Sequence, residues 1–118
     1  MDMNELLKRQ LEMDELHGFP VNFSNDKDKY DQLTKDLVGL FGEIGEFSNI
    51  VKKINIKLED SKNYELNIPA SEECLQDELV DCFIYIMRLA AILRVDLESK
   101  TLMKINRNAV RYSHINRE

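Results

Sequence analysis

Apolar residues recur at intervals of three and four along most of the chain, and turn-like breaks divide that pattern into four amphipathic segments. The first runs from about Asn4 to His17, with Leu7, Leu11 and Met13 or Leu16 facing inward. It stops at Gly18 and Pro20, residues that end helices. The second begins near Asp26 and carries Tyr30, Leu33, Leu37, Leu40, Ile44, Phe47, Val51 and Ile54. Residues 55–70 lose the period and are rich in Asn, Ser, Lys and acids, so they read as a loop with a short strand or frayed helix end at Ile54–Leu58. Ser71 offers an N-cap for a third helix through Leu75, Leu79, Cys82, Ile86, Leu89 and Leu93. Asp96 caps a fourth, which packs through Leu97, Leu102 or Thr101, Ile105 and Ala109 and frays after Tyr112. The expected fold is all-α, a single domain over residues 1–118.

Two of these helices repeat a polar pattern at a shift of 35 residues: Glu43 matches Glu78, Glu46 matches Asp81, and Lys53 matches Arg88. On a wheel of about 100° per residue, both carboxylate pairs border the apolar stripe of their helix instead of lying opposite it. Antiparallel packing of the two stripes then brings four carboxylates to one edge of the seam. Carboxylates so placed repel one another unless a cation sits among them. Oxygen-only donors suit Mg²⁺ or Mn²⁺ better than zinc, for which the chain lacks a His/Cys set. A solitary Glu-x-x-Glu is most often a solvated face; the shared offset and the position beside the stripe set this pair of motifs apart.

Three of the four glycines fall in "GLFGEIGEF", within the second helix, where each costs about 1 kcal/mol relative to Ala. Gly39 and Gly42 lie toward the carboxylates, so a ligand or a crossing helix can approach the backbone there. Gly45 has no explanation beyond close helix packing.

Charge sharpens the picture. The net charge of −6 divides into −10 for residues 1–98 and +4 for residues 99–118, where Lys104, Asn108 and Arg111 share one helical face. An acidic body with one basic helix does not suit a nucleic-acid binder but suits a site that holds cations and anions together. Lys104 and Arg111 would also be explained as charges complementing a helix C-terminus, Lys53 as a solvent cation, and Arg88 as the partner of an acid such as Glu98. No apolar run approaches membrane-spanning length, and "MDMNELLKRQ" lacks the basic start and apolar stretch of a signal peptide, so the expected location is the cytoplasm. Cys74 and Cys82 lie about 12 Å apart along one helix, too far for a disulfide, and read as core or near-core thiols.

The segments "GEIGEFSNIVKK" and "DELVDCFIYIMRLAAILRVDLESKTLMKINRNAVRY" resemble the MazG-like all-α nucleoside triphosphate pyrophosphohydrolases over about residues 30–112. The resemblance implies a helical bundle of four to five helices completed by dimerisation, or by a dimer of dimers. It implies Mg²⁺ held by Glu43, Glu46, Glu78 and Asp81, and hydrolysis of a (deoxy)nucleoside triphosphate to the monophosphate and pyrophosphate. Glu46 or Glu43 would take the proton of the attacking water. Lys53, Lys104, Asn108 and Arg111 would contact phosphate, and His17, Phe19 and Phe23 are candidates for stacking on the base, beside a simpler reading as core or cap. Phe41, Phe83, Ile84 and Met87, apolar beyond one stripe, give dimerisation its own motive. The chain departs from the pattern in having Gly42–Glu43 where many members have a double glutamate, and in a long stretch between Glu46 and Glu78 that would let the 55–70 loop cover the site. Two other readings remain beside this one: a phosphoribosyl-ATP pyrophosphohydrolase, and a helical dimer that binds nucleotide or a protein partner with weak catalysis or none.

Overall fold

Each helix begins where a short polar side chain satisfies a free backbone amide. The structure, a computed structural model, describes residues 1–115; Arg117 and Glu118 of the basic segment lie outside the described residues. Asp2 caps α1 (Met3–His17) by accepting from the Glu5 amide at 2.9 Å, and Asn25 caps α2 (Asp26–Glu59) at the Asp28 amide, also at 2.9 Å. Asp96 caps α4 (Leu97–Arg111) at the Ser99 amide, as its position before the pattern predicts. Gly18 closes α1 at φ 73°, a left-handed conformation that only glycine adopts without strain. Among the described residues all regular structure is helical, in four helices.

The connection between α2 and α3 differs from the expected loop. Residues 55–59 continue α2, and α3 (Ile68–Leu93) starts earlier than Ser71. Asn67 is the cap, accepting from the Ala70 amide at 3.0 Å, while the Ser71 hydroxyl donates to the Asn67 carbonyl. Pro69 sits in the first turn of α3, where its missing N–H costs nothing. The polar composition of residues 55–59 reflects an exposed helix face. Residues 60–67 join the far ends of the two helices, roughly 15–20 Å along the axes from Glu46 and Glu78, so this segment does not cover the carboxylates.

Pairing across the α2–α3 seam runs in opposite order on the two helices: Asp36 meets Arg88, Gly39 meets Tyr85, and Glu43 meets Glu78. That register is antiparallel, and it makes most of the interhelical contact. Gly39 is part of its cause, because a Cβ there would enter the Tyr85 ring. Gly42 and Gly45 have open space around them, so close packing within the chain does not explain Gly45.

α1 lies on α3, whereas α4 makes no extensive contact with the other helices. Leu102 and Ile105 are exposed instead of packed. On α1 the inward position expected for Met13 or Leu16 belongs to Asp14, and both apolar side chains are exposed. The buried apolar side chains among the described residues are Val21, Met87, Ala90 and Ile92. Met87 is thus covered within the chain, whereas Phe41 is 62% exposed. The radius of gyration, 18.7 Å, exceeds the roughly 13–14 Å of a compact domain of this length.

The glycines separate packing from propensity. Gly39→Ala should lower stability by about 1–2 kcal/mol, because displacing Tyr85 outweighs the gain in helix propensity. Gly42→Ala should raise it by up to about 1 kcal/mol. Urea unfolding of both variants checks the pair; equal and opposite behaviour to this would place Tyr85 elsewhere.

Candidate functional site

α2 and α3 bring Glu43, Glu46 and Glu78 together, each offering an oxygen within 4.8 Å of the others. Glu43 and Glu46 are one turn apart on α2, and the antiparallel register sets Glu78 against both. The Oε2 atoms of Glu43 and Glu78 are buried and have no hydrogen-bond partner. Two ionised carboxylates have no proton to donate to each other. A proton on Glu78 supplies the donor both lack, and the Glu78 carboxyl is pushed up to about 8, first by its hydrogen bond to Glu43, then by burial and by Glu46. Burial, followed by the charges of Glu43, Glu78 and Asp81, raises the neighbouring Cys82 thiol.

A cation answers the same deficit. The all-oxygen donor set and the two orphaned oxygens fit a hard divalent ion such as Mg²⁺ or Mn²⁺. Asp81, expected as the fourth member, falls outside this group of three. It is exposed and stands on the wall of an adjoining cavity beside Glu43, its side chain one methylene shorter than a glutamate's.

That cavity, of about 360 Å³, lies between α1, α2 and α3. Phe19, Ile84 and Tyr85 form its apolar surface, and Gln10, Gln32, Asp14, Asp36 and Arg88 its polar one. Phe19, the expected stacking residue, is therefore beside the glutamates; its ring lies 6.1 Å from that of His17. His17 itself bonds the Met13 carbonyl through Nδ1, and Phe23 lines a separate hollow with Lys29 and Arg94.

The expected phosphate contacts are not brought to the glutamates within one chain. Lys104 and Arg111 are exposed on α4, with the half-buried Asn108 between them, and no hydrogen bond or ion pair joins the three to the carboxylates among the described residues. Arg111 bonds and stacks on Tyr112 instead, its guanidinium 4.6 Å from the ring centroid. Lys53 is exposed about 10 Å further along α2 than Glu46.

Arg88 pairs with acids, as expected, but with two buried aspartates instead of Glu98: Nη2 and Nε donate to Asp36 at 2.8 and 3.1 Å, Nη2 also donates to the Pro20 carbonyl at 3.1 Å, and Nη1 lies 3.2 Å from Asp14 Oδ2. All three side chains are buried, Asp14 at 1% exposure and the others at 6%. Gln10 and Gln32 each donate to the aspartate one turn on, at 2.9 and 3.2 Å. The signal was available. Asp14 continues the Leu7–Leu11 row, Asp36 lies between Leu33 and Leu40, and Arg88 between Ile84 and Ile92, so each charge occupies an apolar row where burial demands a partner.

With this geometry in view, curated proteins were compared with the chain. It is 30% identical over 108 residues to dCTP pyrophosphatase 1 of Bos taurus, covering 89% of this chain and 62% of that protein. The human protein of the same name is 30% identical over 102 residues, 85% of this chain and 58% of the relative, and the Mus musculus one is 28% identical over 108 residues, with 89% and 62% covered. These relatives support the resemblance of the carboxylate motifs to the MazG-like family. The chain spans about three-fifths of the length of these relatives. No family model matches, and no solved structure matches significantly. The four helices are consistent with a MazG-like bundle, and among the described residues no helix is long and apolar enough to cross a membrane.

The raised Glu78 carboxyl has a consequence for stability. The folded, metal-free protein holds this proton to about pH 8, whereas the unfolded chain releases it near 4.5. Its contribution is therefore complete below pH about 4.5 and lost as pH rises through 8. Thermal unfolding in chelator should show wild type losing melting temperature relative to Glu78→Gln across that window. Parallel curves for the two proteins would assign the titration to another group.

Proposed function

We propose that this chain hydrolyses nucleoside triphosphates to the monophosphate and pyrophosphate, in nucleotide-pool house-cleaning, with residues 1–118 acting as one domain. The observation that carries the reading is the pair of orphaned, buried oxygens of Glu43 and Glu78, set with Glu46 beside a cavity that offers Phe19 to a base. The names of its relatives support the same reaction and put dCTP first among the substrates to try. The free Cys74 and Cys82 are consistent with the reducing cytoplasm.

Glu43, Glu46 and Glu78 would hold Mg²⁺, or Mn²⁺ in its place, with Asp81 as the fourth carboxylate. A divalent ion there supplies Lewis-acid polarisation of a phosphoryl oxygen and a more acidic water. Glu46, the exposed member of the trio, is placed to accept the proton of water attacking the α-phosphorus, with Glu43 as the neighbouring carboxylate. Phe19 and Tyr85 offer apolar ring surface to the base. Lys104, Asn108 and Arg111 bind the pyrophosphate charge, with Lys53 further along α2; because α4 makes no extensive contact with α2 and α3 of its own chain, a second copy would bring them.

The surface of the chain supports that second copy. Its accessible area, 9167 Å², exceeds the roughly 6,600 Å² of a compact protein of this mass. The difference is several times the ~800 Å² per partner of a standard interface. Val38, Phe41, Leu79 and Val80 are each more than half exposed on α2 and α3, and Leu102, Ile105 and Val110 on α4. A homodimer, or a homotetramer built from two, covers them.

Two measurements test the reading. Pyrophosphate release should be seen from at least one of a panel of canonical and modified triphosphates with Mg²⁺, and Glu46→Gln should lower kcat by about 10²-fold or more. Wild type that binds metal yet releases nothing from the panel is a binding module. Light scattering should give at least twice the 13.8 kDa of one chain at micromolar concentration; a monomer would leave α4 without a route to the substrate.

A further inference from the structure

We propose that Arg88 is a positioning residue for the nucleotide: clamped between Asp14 and Asp36, its guanidinium holds the segment that carries Phe19 as the outer wall of the cavity. This inference rests on the pyrophosphohydrolase reading and adds to it a residue that touches neither metal nor phosphate.

Arg88 joins three separate parts of the chain. It reaches α2 through Asp36, α1 through Asp14 and the α1–α2 connection through the Pro20 carbonyl. The residue before that proline is Phe19, whose ring lies 5.9 Å from the Arg88 Cζ. Beyond the Phe19 amide, which donates to the Asp14 carbonyl at 2.8 Å, and the buried Val21, little else fixes this wall. Of residues 1–25 only Asp14 and Val21 are buried, and α1 lies on α3 without extensive contact with α2. The wall is therefore placed by the fixed donor directions of one guanidinium more than by apolar packing.

The clamp is uneven. Its Asp36 side is hydrogen-bonded through two donors, whereas Asp14 Oδ2 and Arg88 Nη1 approach without hydrogen-bond alignment. α2 and α3 are already joined along their length, so the arm that depends on Arg88 is α1 with Phe19. A buried network with two carboxylates for one cation is a weak source of stability, and apolar side chains of similar volume often replace such a network without loss. What apolar replacements do not reproduce is direction.

The decisive protein is the triple variant Asp14→Leu, Asp36→Leu, Arg88→Met, which removes the clamp without leaving a buried charge; Arg88→Lys keeps the charge and loses the fork. The triple variant should melt no lower than wild type, show KM for the best triphosphate raised about tenfold or more with kcat within about threefold, and exchange the hydrogen-bonded Phe19 amide and the buried Val21 amide faster. Arg88→Lys should fall between the two in KM. A folded triple variant with wild-type KM overturns the proposal, as does one that loses kcat at unchanged KM, since that places the disturbance at the glutamates. If wild type releases no pyrophosphate, the activity reading fails by itself, and amide exchange decides: unchanged protection of Phe19 and Val21 in the triple variant overturns the clamp.

Discussion

Mutual repulsion among Glu43, Glu46 and Glu78 is the constraint around which the structure is arranged. Their oxygens converge within 4.8 Å because α2 and α3 pack antiparallel in one register, with Tyr85 against Gly39 a turn away. Any slip along the seam would separate them, so the packing that builds the hairpin also builds the repulsion. At neutral pH the metal-free protein relieves it by keeping a proton on Glu78. A divalent ion relieves it without a proton, and for that reason metal affinity and proton release are linked at this site.

The hairpin was legible from residue pattern. The stripes of α2 and α3, the offset of 35 residues and the border position of the acids point to four converging carboxylates, of which Glu43, Glu46 and Glu78 come together and Asp81 stands aside. Residues 55–59 were not legible as a last helical turn, because Ile54, Ile56 and Leu58 alternate with Asn55 and Lys57, a period of two that reads as a short strand or a frayed end. Nor was Asn67 as a cap, since Ser71 four residues later offers the same chemistry. Asp14 and Asp36 were hidden for a different reason. Reading an apolar row passes over a charge within it, whereas a charge on that row is where burial forces a partner, and Arg88 answers both. The expected apolar row of α4 is not packed, because within one chain that helix makes no extensive contact with the other three.

That last point connects the open shape to the chemistry. A chain with this much exposed apolar surface offers it for the proposed association. The cations suited to phosphate, Lys104 and Arg111, sit on the helix that a single chain leaves unpacked. In the proposed assembly the acidic and basic halves of the site meet only when copies do, so assembly and catalysis would be one requirement. Such an arrangement also explains why the sequence divides its charge so sharply between residues 1–98 and 99–118.

The two ionic clusters on the α2–α3 seam make the strongest internal comparison. Asp36 and Glu43 are seven residues apart on α2, and Asp81 and Arg88 are seven apart on α3, so both clusters share one face of the seam and one cavity. At the first, a buried carboxylate is met by a guanidinium that the chain itself supplies. At the second, the equivalent place on α3 holds another acid, and two buried oxygens have no partner. Had neutralising the seam been the only requirement, a second arginine or lysine on α3 would meet it at little cost in fold. Carboxylates facing carboxylates at one end, beside a clamped and neutralised end that carries an aromatic wall, leave the missing charge to come from solution. This is the physical basis for a cation that arrives with, or ahead of, a polyanionic substrate.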